Sequence, residues 1–98
     1  MLIEQNYLTK MGEVDIIMQD KSDDTLVFVE VRYRKNSHFV SAVESVTRDK
    51  QRKLIRTANH YLQSHPEYQN FVCRFDVVGV ESDLKYPIIN WIQNAFEG

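Results

Sequence analysis

The sequence predicts one α/β domain whose core is a mixed β-sheet with a crossover helix. Three observations lead there. Two runs rich in β-branched and apolar residues, Gly12–Met18 and Leu26–Arg34, flank a short polar loop, as an antiparallel hairpin does. A stretch from about Thr47 to His65 carries apolar residues at helical spacing. A further β-rich run, Phe71–Val80, follows that stretch, so the helix can carry the chain across the sheet to a new neighbour. With 98 residues, 43 % of them hydrophobic, the chain suits a single small domain over 1–98.

The elements follow in order. Leu2–Leu8 reads as a first strand. In Gly12–Met18, strict alternation puts Glu13, Asp15 and Ile17 on one face and Val14, Ile16 and Met18 on the other. Gln19–Asp24 is polar and turn-forming. Leu26–Arg34, dense in Val and Phe, is the strongest strand. Asn36–Ala42 reads as a loop, and Ser41 with Glu44 has the spacing of a capping box. On the helix, Leu54, Ile55, Ala58, Tyr61 and Leu62 form the buried stripe, and Pro66 ends it. In Phe71–Val80, Phe71, Cys73, Phe75 and Val77 face one way, with Val72, Arg74, Asp76 and Val78 facing the other. Ile88–Ile92 reads as a short last strand and Gln93–Glu97 as a tail.

Composition narrows the setting. No apolar run approaches the ~18–20 residues that span a bilayer, and the N-terminus lacks a signal-peptide pattern. Cys73 is the single cysteine, which fits a reducing cytoplasm. Its alternation with Phe71 and Phe75 reads as a core thiol. His38, His60 and His65 have no metal-ligand spacing. Alternation puts Tyr33 on the face away from Glu30, as packing. Trp91 and Tyr86 are candidates to stack on bases, with packed core near the last strand the favoured reading of Trp91. A net charge of −2 argues against non-specific nucleic-acid binding by the whole surface. The charge is unevenly placed, however: Arg32 to Arg56 holds eight basic residues against Glu44 and Asp49, a local +6. Two readings stand for this stretch, a phosphate-binding face and a solvated helix surface.

Glu30 sits in the middle of the strongest strand, and a buried carboxylate needs a partner, a metal or a task. If the hairpin loop centres between Ser22 and Asp23, paired residue numbers sum to about 45. Asp15 then lies opposite Glu30 and Glu13 opposite Arg32, with Cβ atoms ~5 Å apart. Glu13, Asp15, Glu30 and Arg32 converge on one patch. Spacing alone leaves two readings: carboxylates for a hard divalent ion, or a structural ion-pair cluster.

Five ordered blocks are spread along nearly the whole chain: Gly12-Glu-Val-Asp-Ile-Ile17; Leu26-Val-Phe-Val-Glu-Val-Arg-Tyr-Arg34; Ala42-Val-Glu-Ser-Val-Thr47 with Lys50-Gln-Arg-Lys-Leu54; Arg74-Phe-Asp-Val-Val78; and Ile92-Gln-Asn-Ala-Phe96. Together they resemble the YraN family, bacterial proteins with a restriction-endonuclease-like fold similar to archaeal Holliday-junction resolvases. The resemblance implies a site of the PD-(D/E)xK type. In it Asp15 and Glu30 are the metal-binding acids, Glu13 assists them, and Arg32 stands where the motif lysine is expected. The catalytic set is then Asp15, Glu30 and Arg32, with Mg²⁺ or Mn²⁺ as cofactor. DNA, linear, branched or single-stranded, is the implied partner. Lys50 and Gln51 stand where such nucleases carry auxiliary polar residues. Arg34, Arg48, Lys50, Gln51, Arg52 and Lys53 are the implied backbone-contact residues.

Two departures qualify the implied activity. Arginine stays protonated and cannot serve as a general base, although it can hold phosphate; Lys50 can substitute only if its helix points at the site. The family also carries an amphipathic N-terminal helix ahead of the segment that begins at Leu2. Without it one sheet face is left apolar, and self-association through that face is expected. The expected function is that of a nucleic-acid-related protein with a PD-(D/E)xK-like site, whose enzymatic reading is metal-dependent DNA phosphodiester hydrolysis. The alternatives are a non-catalytic nucleic-acid-binding module in which Arg32 neutralises the acids, and a module whose basic helix meets an acidic protein.

Overall fold

A computed structural model describes residues 1–34, 42–81 and 86–98, with the Arg34 side chain outside that description. The chain forms strands β1 (Leu2–Thr9), β2 (Gly12–Asp20) and β3 (Thr25–Arg34). Helix α1 (Arg48–Ser64) follows, then a 3-10 turn at Pro66–Tyr68, β4 (Val72–Glu81) and β5 (Ile88–Phe96). The five strands make one sheet in chain order. β1–β2, β2–β3 and β4–β5 are antiparallel, while β3–β4 is parallel across the α1 crossover. This is the mixed α/β sheet expected, consistent with a restriction-endonuclease-like core.

Local chemistry sets the boundaries. Lys10 and Met11 turn β1 into β2; Thr9 Oγ1 accepts the Met11 N–H (3.1 Å) and donates to the Gly12 carbonyl (3.2 Å). Gly12 has φ +157°, and a Cβ there would meet Thr57 Oγ1 at 3.2 Å, so only glycine lets β2 start hard against α1. At the helix start Thr47 is the cap, its Oγ1 accepting the Lys50 N–H at 3.3 Å. The expected capping box begins at Ser41, which lies outside the described residues. Pro66 ends the helix as expected and opens the 3-10 turn.

The core lies between α1 and one sheet face. Leu54, Ala58 and Tyr61 pack there on Val14, Ile17, Leu26, Phe28, Phe75 and Val77, with Ile55 and Leu62 partly buried beside them. The opposite face carries Val27, Val29 and Val78, joined by Ile16, Met18, Val31 and Val80. β3 and β4 therefore alternate as the sequence predicts. β2 does not: Val14 and Ile17, three residues apart, both reach the α1 side, so the strand changes face between them. The last strand also differs. It runs on through the expected tail to Phe96, because two extra residues are absorbed between the Val77↔Ile92 and Phe75↔Phe96 pairs. Asn94, at φ +51°, takes up that bulge. Trp91, expected in the core, is 45 % exposed.

Candidate active site

The sheet forks. β2 and β3 pair from Asp20↔Thr25 to Ile16↔Val29, in the predicted register, and the ladder stops there. Beyond that point β2 stays with β1 (Tyr7↔Val14, Leu8↔Glu13, Thr9↔Gly12), while β3 stays with β4 (Glu30↔Val77 to Arg34↔Glu81). Parting leaves the β3 N–H groups on that side without a ladder acceptor. Asp15 supplies one: its Oδ2 accepts the Val31 N–H at 2.7 Å. A side-chain carboxylate thus replaces the missing backbone carbonyl at the apex of the fork.

Glu30 stands beside it, 4 % exposed, on the α1 side of the sheet. Two cations reach the same oxygen. Arg32 Nη1 lies 3.4 Å from Glu30 Oε2 along β3, and Lys50 Nζ lies 3.5 Å from it off the first turns of α1. The α1 N-terminus therefore points at the site, the condition on which Lys50 depended. Burial is the main force holding the Glu30 carboxyl above its ordinary value; the Asp15 charge and a hydrogen bond with Asp15 add to it, and Lys50 and Arg32 oppose it.

Arg32 is clamped from its far side. Its Nε donates to Ser45 Oγ (3.1 Å) and its Nη2 to the Ser45 carbonyl (3.3 Å), while Ser45 Oγ donates to the Ala42 carbonyl (2.6 Å). Ala42 sits over Gly79, where an added Cβ would lie 2.8 Å from the Ala42 Cβ. A glycine in β4 thus lets the segment before α1 lie flat on the sheet and aim the guanidinium. Spacing gave no sign of Ser45 or Gly79, because both act through tertiary contact.

The remaining predicted residues fall as follows. Glu13 is half-buried in β2 opposite Leu8, and no hydrogen bond or ion pair links it to Asp15 or Glu30 among the described residues. Gln51 donates to the Val46 carbonyl at 3.2 Å, bracing the helix start. Arg48, Arg52 and Lys53 are exposed on the same end of α1, with Arg52 on Asp49 at 3.1 Å. The Arg34 side chain lies outside the described residues.

Asp15 and Glu30 suit a hard divalent ion: both are oxygen donors, they repel each other, and a cation between them would relieve that repulsion. Among the described residues no group of three His, Cys, Asp or Glu side chains is placed to hold a metal. The available set is thus a two-carboxylate one, of the sort Mg²⁺ accepts while keeping water and phosphate ligands.

A second buried acid, Asp76, is 0 % exposed. It accepts from Arg74 Nε (3.1 Å), Trp91 Nε1 (2.8 Å) and the Asn94 N–H (2.9 Å). It fills the β5 bulge as Asp15 fills the fork, but with its donors satisfied and its place structural. No described helix is long and apolar enough to cross a membrane.

Comparison with known proteins finds relatives of this chain by sequence. A "UPF0102 protein" of Alcanivorax borkumensis is 46 % identical over 96 residues, covering 97 % of this chain and 75 % of the relative. One of Psychromonas ingrahamii is 52 % identical over 96 residues, covering 98 % and 74 %. One of Coxiella burnetii is 50 % identical over 95, covering 97 % and 75 %. The model of the uncharacterised protein family UPF0102, the YraN family, matches residues 1–80, and the chain belongs to that family.

Proposed function

We propose that the fork is a phosphodiester site, with Asp15 and Glu30 holding Mg²⁺ or Mn²⁺ and DNA as the substrate. The observation that carries this is Lys50. It brings a titratable amine to 3.5 Å from the buried Glu30, supplying from α1 what the strand position occupied by Arg32 lacks. A divalent ion bound there would lower the pKa of its water and stabilise charge on a phosphate. Arg32, aimed by Ser45, would bind the phosphate. Lys50, an ammonium beside Glu30, would donate its proton to the leaving oxygen, which a guanidinium cannot do. Exposed Arg48, Arg52 and Lys53 on the same helix end would hold the backbone, giving salt-sensitive affinity with little sequence preference.

One observation favours the non-catalytic reading. Glu30 Oε2 already has two cations within 3.5 Å, so its charge is compensated without a metal. Calorimetric titration with Mn²⁺ separates the two. The parent is expected to bind Mn²⁺ and Asp15→Asn to lose it, with cleavage of linear or branched DNA lost in parallel. A parent that binds no Mn²⁺ would leave Glu30 held by Arg32 and Lys50, and the chain a binding module.

A further inference from the structure

The two cations that share Glu30 Oε2 are held very differently. Arg32 has two bonds besides its ion pair, from Nε to Ser45 Oγ and from Nη2 to the Ser45 carbonyl, and Ser45 is itself tied to the Ala42 carbonyl. These fix the planar guanidinium in place. The Lys50 ammonium has no such support. Among the described residues its Nζ makes the ion pair with Glu30 at 3.5 Å and donates no hydrogen bond. Thr47 Oγ1 pins the Lys50 backbone at the helix cap, so what can move is the flexible stem and its charged head. That side chain is 41 % exposed, against 4 % for Glu30, so water is at hand to receive the ammonium if it leaves.

From this we infer that Lys50 is a resident counter-ion for Glu30, one that gives up its place when a divalent ion takes the acid pair, while Arg32 stays. The inference rests on the phosphodiester reading and adds an order of events to it. A buried carboxylate with no cation beside it is costly, and Lys50 helps to meet that cost while the acids hold no metal. With a dication at Asp15 and Glu30, the ammonium would face a like charge at close range in a partly dry site, where repulsion is strong. Lys50 escapes by swinging its stem into water. Arg32 could escape only by breaking both Ser45 bonds. The amine is thus parked on Glu30 until the site is loaded, and only then is it free to serve the leaving oxygen. Lys50 therefore acts in two opposed ways: it weakens ion binding and supports the chemistry.

Calorimetric titration of the full chain with Mn²⁺ tests this. Lys50→Met is expected to bind Mn²⁺ about tenfold more tightly than the parent, the effect of removing one close like charge. Arg56→Met removes an exposed charge farther along the same helix and should change the affinity by less than about twofold, because solvent screens it. On the parent, NMR relaxation of the lysine Cε groups should show Lys50 loosening on addition of Mg²⁺ to the mobility of exposed Lys53, and Asp15→Asn should show no such change. Mn²⁺ binding by Lys50→Met that is unchanged or weaker, or an equal gain in Arg56→Met, would overturn the counter-ion role and leave the metal site standing. So would a Lys50 side chain as stiff with Mg²⁺ as without it. A parent that binds no Mn²⁺ would refute the metal site, and this inference with it.

Discussion

The same small change, a carboxylate replaced by its amide, is expected to act with opposite sign at the two buried acids. At Asp76, Oδ1 takes the Asn94 N–H and the Arg74 Nε–H, and Oδ2 takes the Trp91 Nε1–H. An amide offers one acceptor oxygen and turns an NH₂ toward donors. Whichever way it is placed, a donor loses its partner and the bond to Arg74 loses its ionic character. Hydrogen bonds to charged groups are worth about 1.5–3 kcal/mol, so Asp76→Asn should cost about 3 kcal/mol. In a domain of this size each kcal/mol moves the midpoint ~4–8 °C, giving a fall of about 12–24 °C. Glu30→Gln removes an ionised group that burial disfavours, so at neutral pH it should leave the melting temperature unchanged or raised, while abolishing Mn²⁺ binding. Thermal melts followed by circular dichroism in EDTA read both. A fall under about 1 kcal/mol for Asp76→Asn would refute the view that its carboxylate anchors the β5 bulge. A comparable loss for Glu30→Gln would make Glu30 a structural acid as well.

Two further outcomes follow from the same contacts. Because the folded state raises the Glu30 pKa, Glu30 binds its proton more tightly folded than unfolded; its contribution is complete below the unfolded value and fades as pH rises through the folded one. The stability gap between Glu30→Gln and the parent should therefore widen from acid to neutral pH, by about 1.4 kcal/mol for each unit of displacement, and a gap independent of pH in denaturant melts would contradict the burial argument. Gly79→Ala forces the Ala42 segment off the sheet and should cost ~1–3 kcal/mol in urea unfolding, together with phosphate affinity as Arg32 loses its Ser45 clamp. Adding Ala42→Gly should restore both, and failure of that rescue would place the effect elsewhere.

Much of this was legible from residues alone, because the deciding forces were local. Polar Gln19–Asp24 between two β-rich runs set the hairpin register, and alternation in β3 and β4 followed from which residues repel water. The helix ends followed from Thr47 and Pro66. What escaped depended on contacts distant in sequence. The Asp15 bond to Val31 N–H depends on β2 staying with β1 where β3 turns to β4, a competition between strands that no single strand records. β5 continues to Phe96 because Asp76, on another strand, accepts the N–H its bulge releases. Tyr33 reads as packing by its alternation and Trp91 as core near the last strand, yet whether a second layer covers a sheet face is not written in the strand itself. Lys50 was identifiable as a candidate, but its reach to Glu30 needed the helix placed.

The fork also makes the site a matter of mechanics. One acid rides on the β1–β2 leaf and the other on the β3–β4–β5 leaf, and along the line where the leaves meet the seam is five residue pairs long. The gap between the acids is therefore the opening of a pair of tweezers, with the Asp15–Val31 bond as its catch. Stiffness in that seam, and in the turn at residues 21–24 at its closed end, would set how well the jaws match an ion or a phosphate. Changes far from Asp15 and Glu30 would then tune affinity by altering compliance alone.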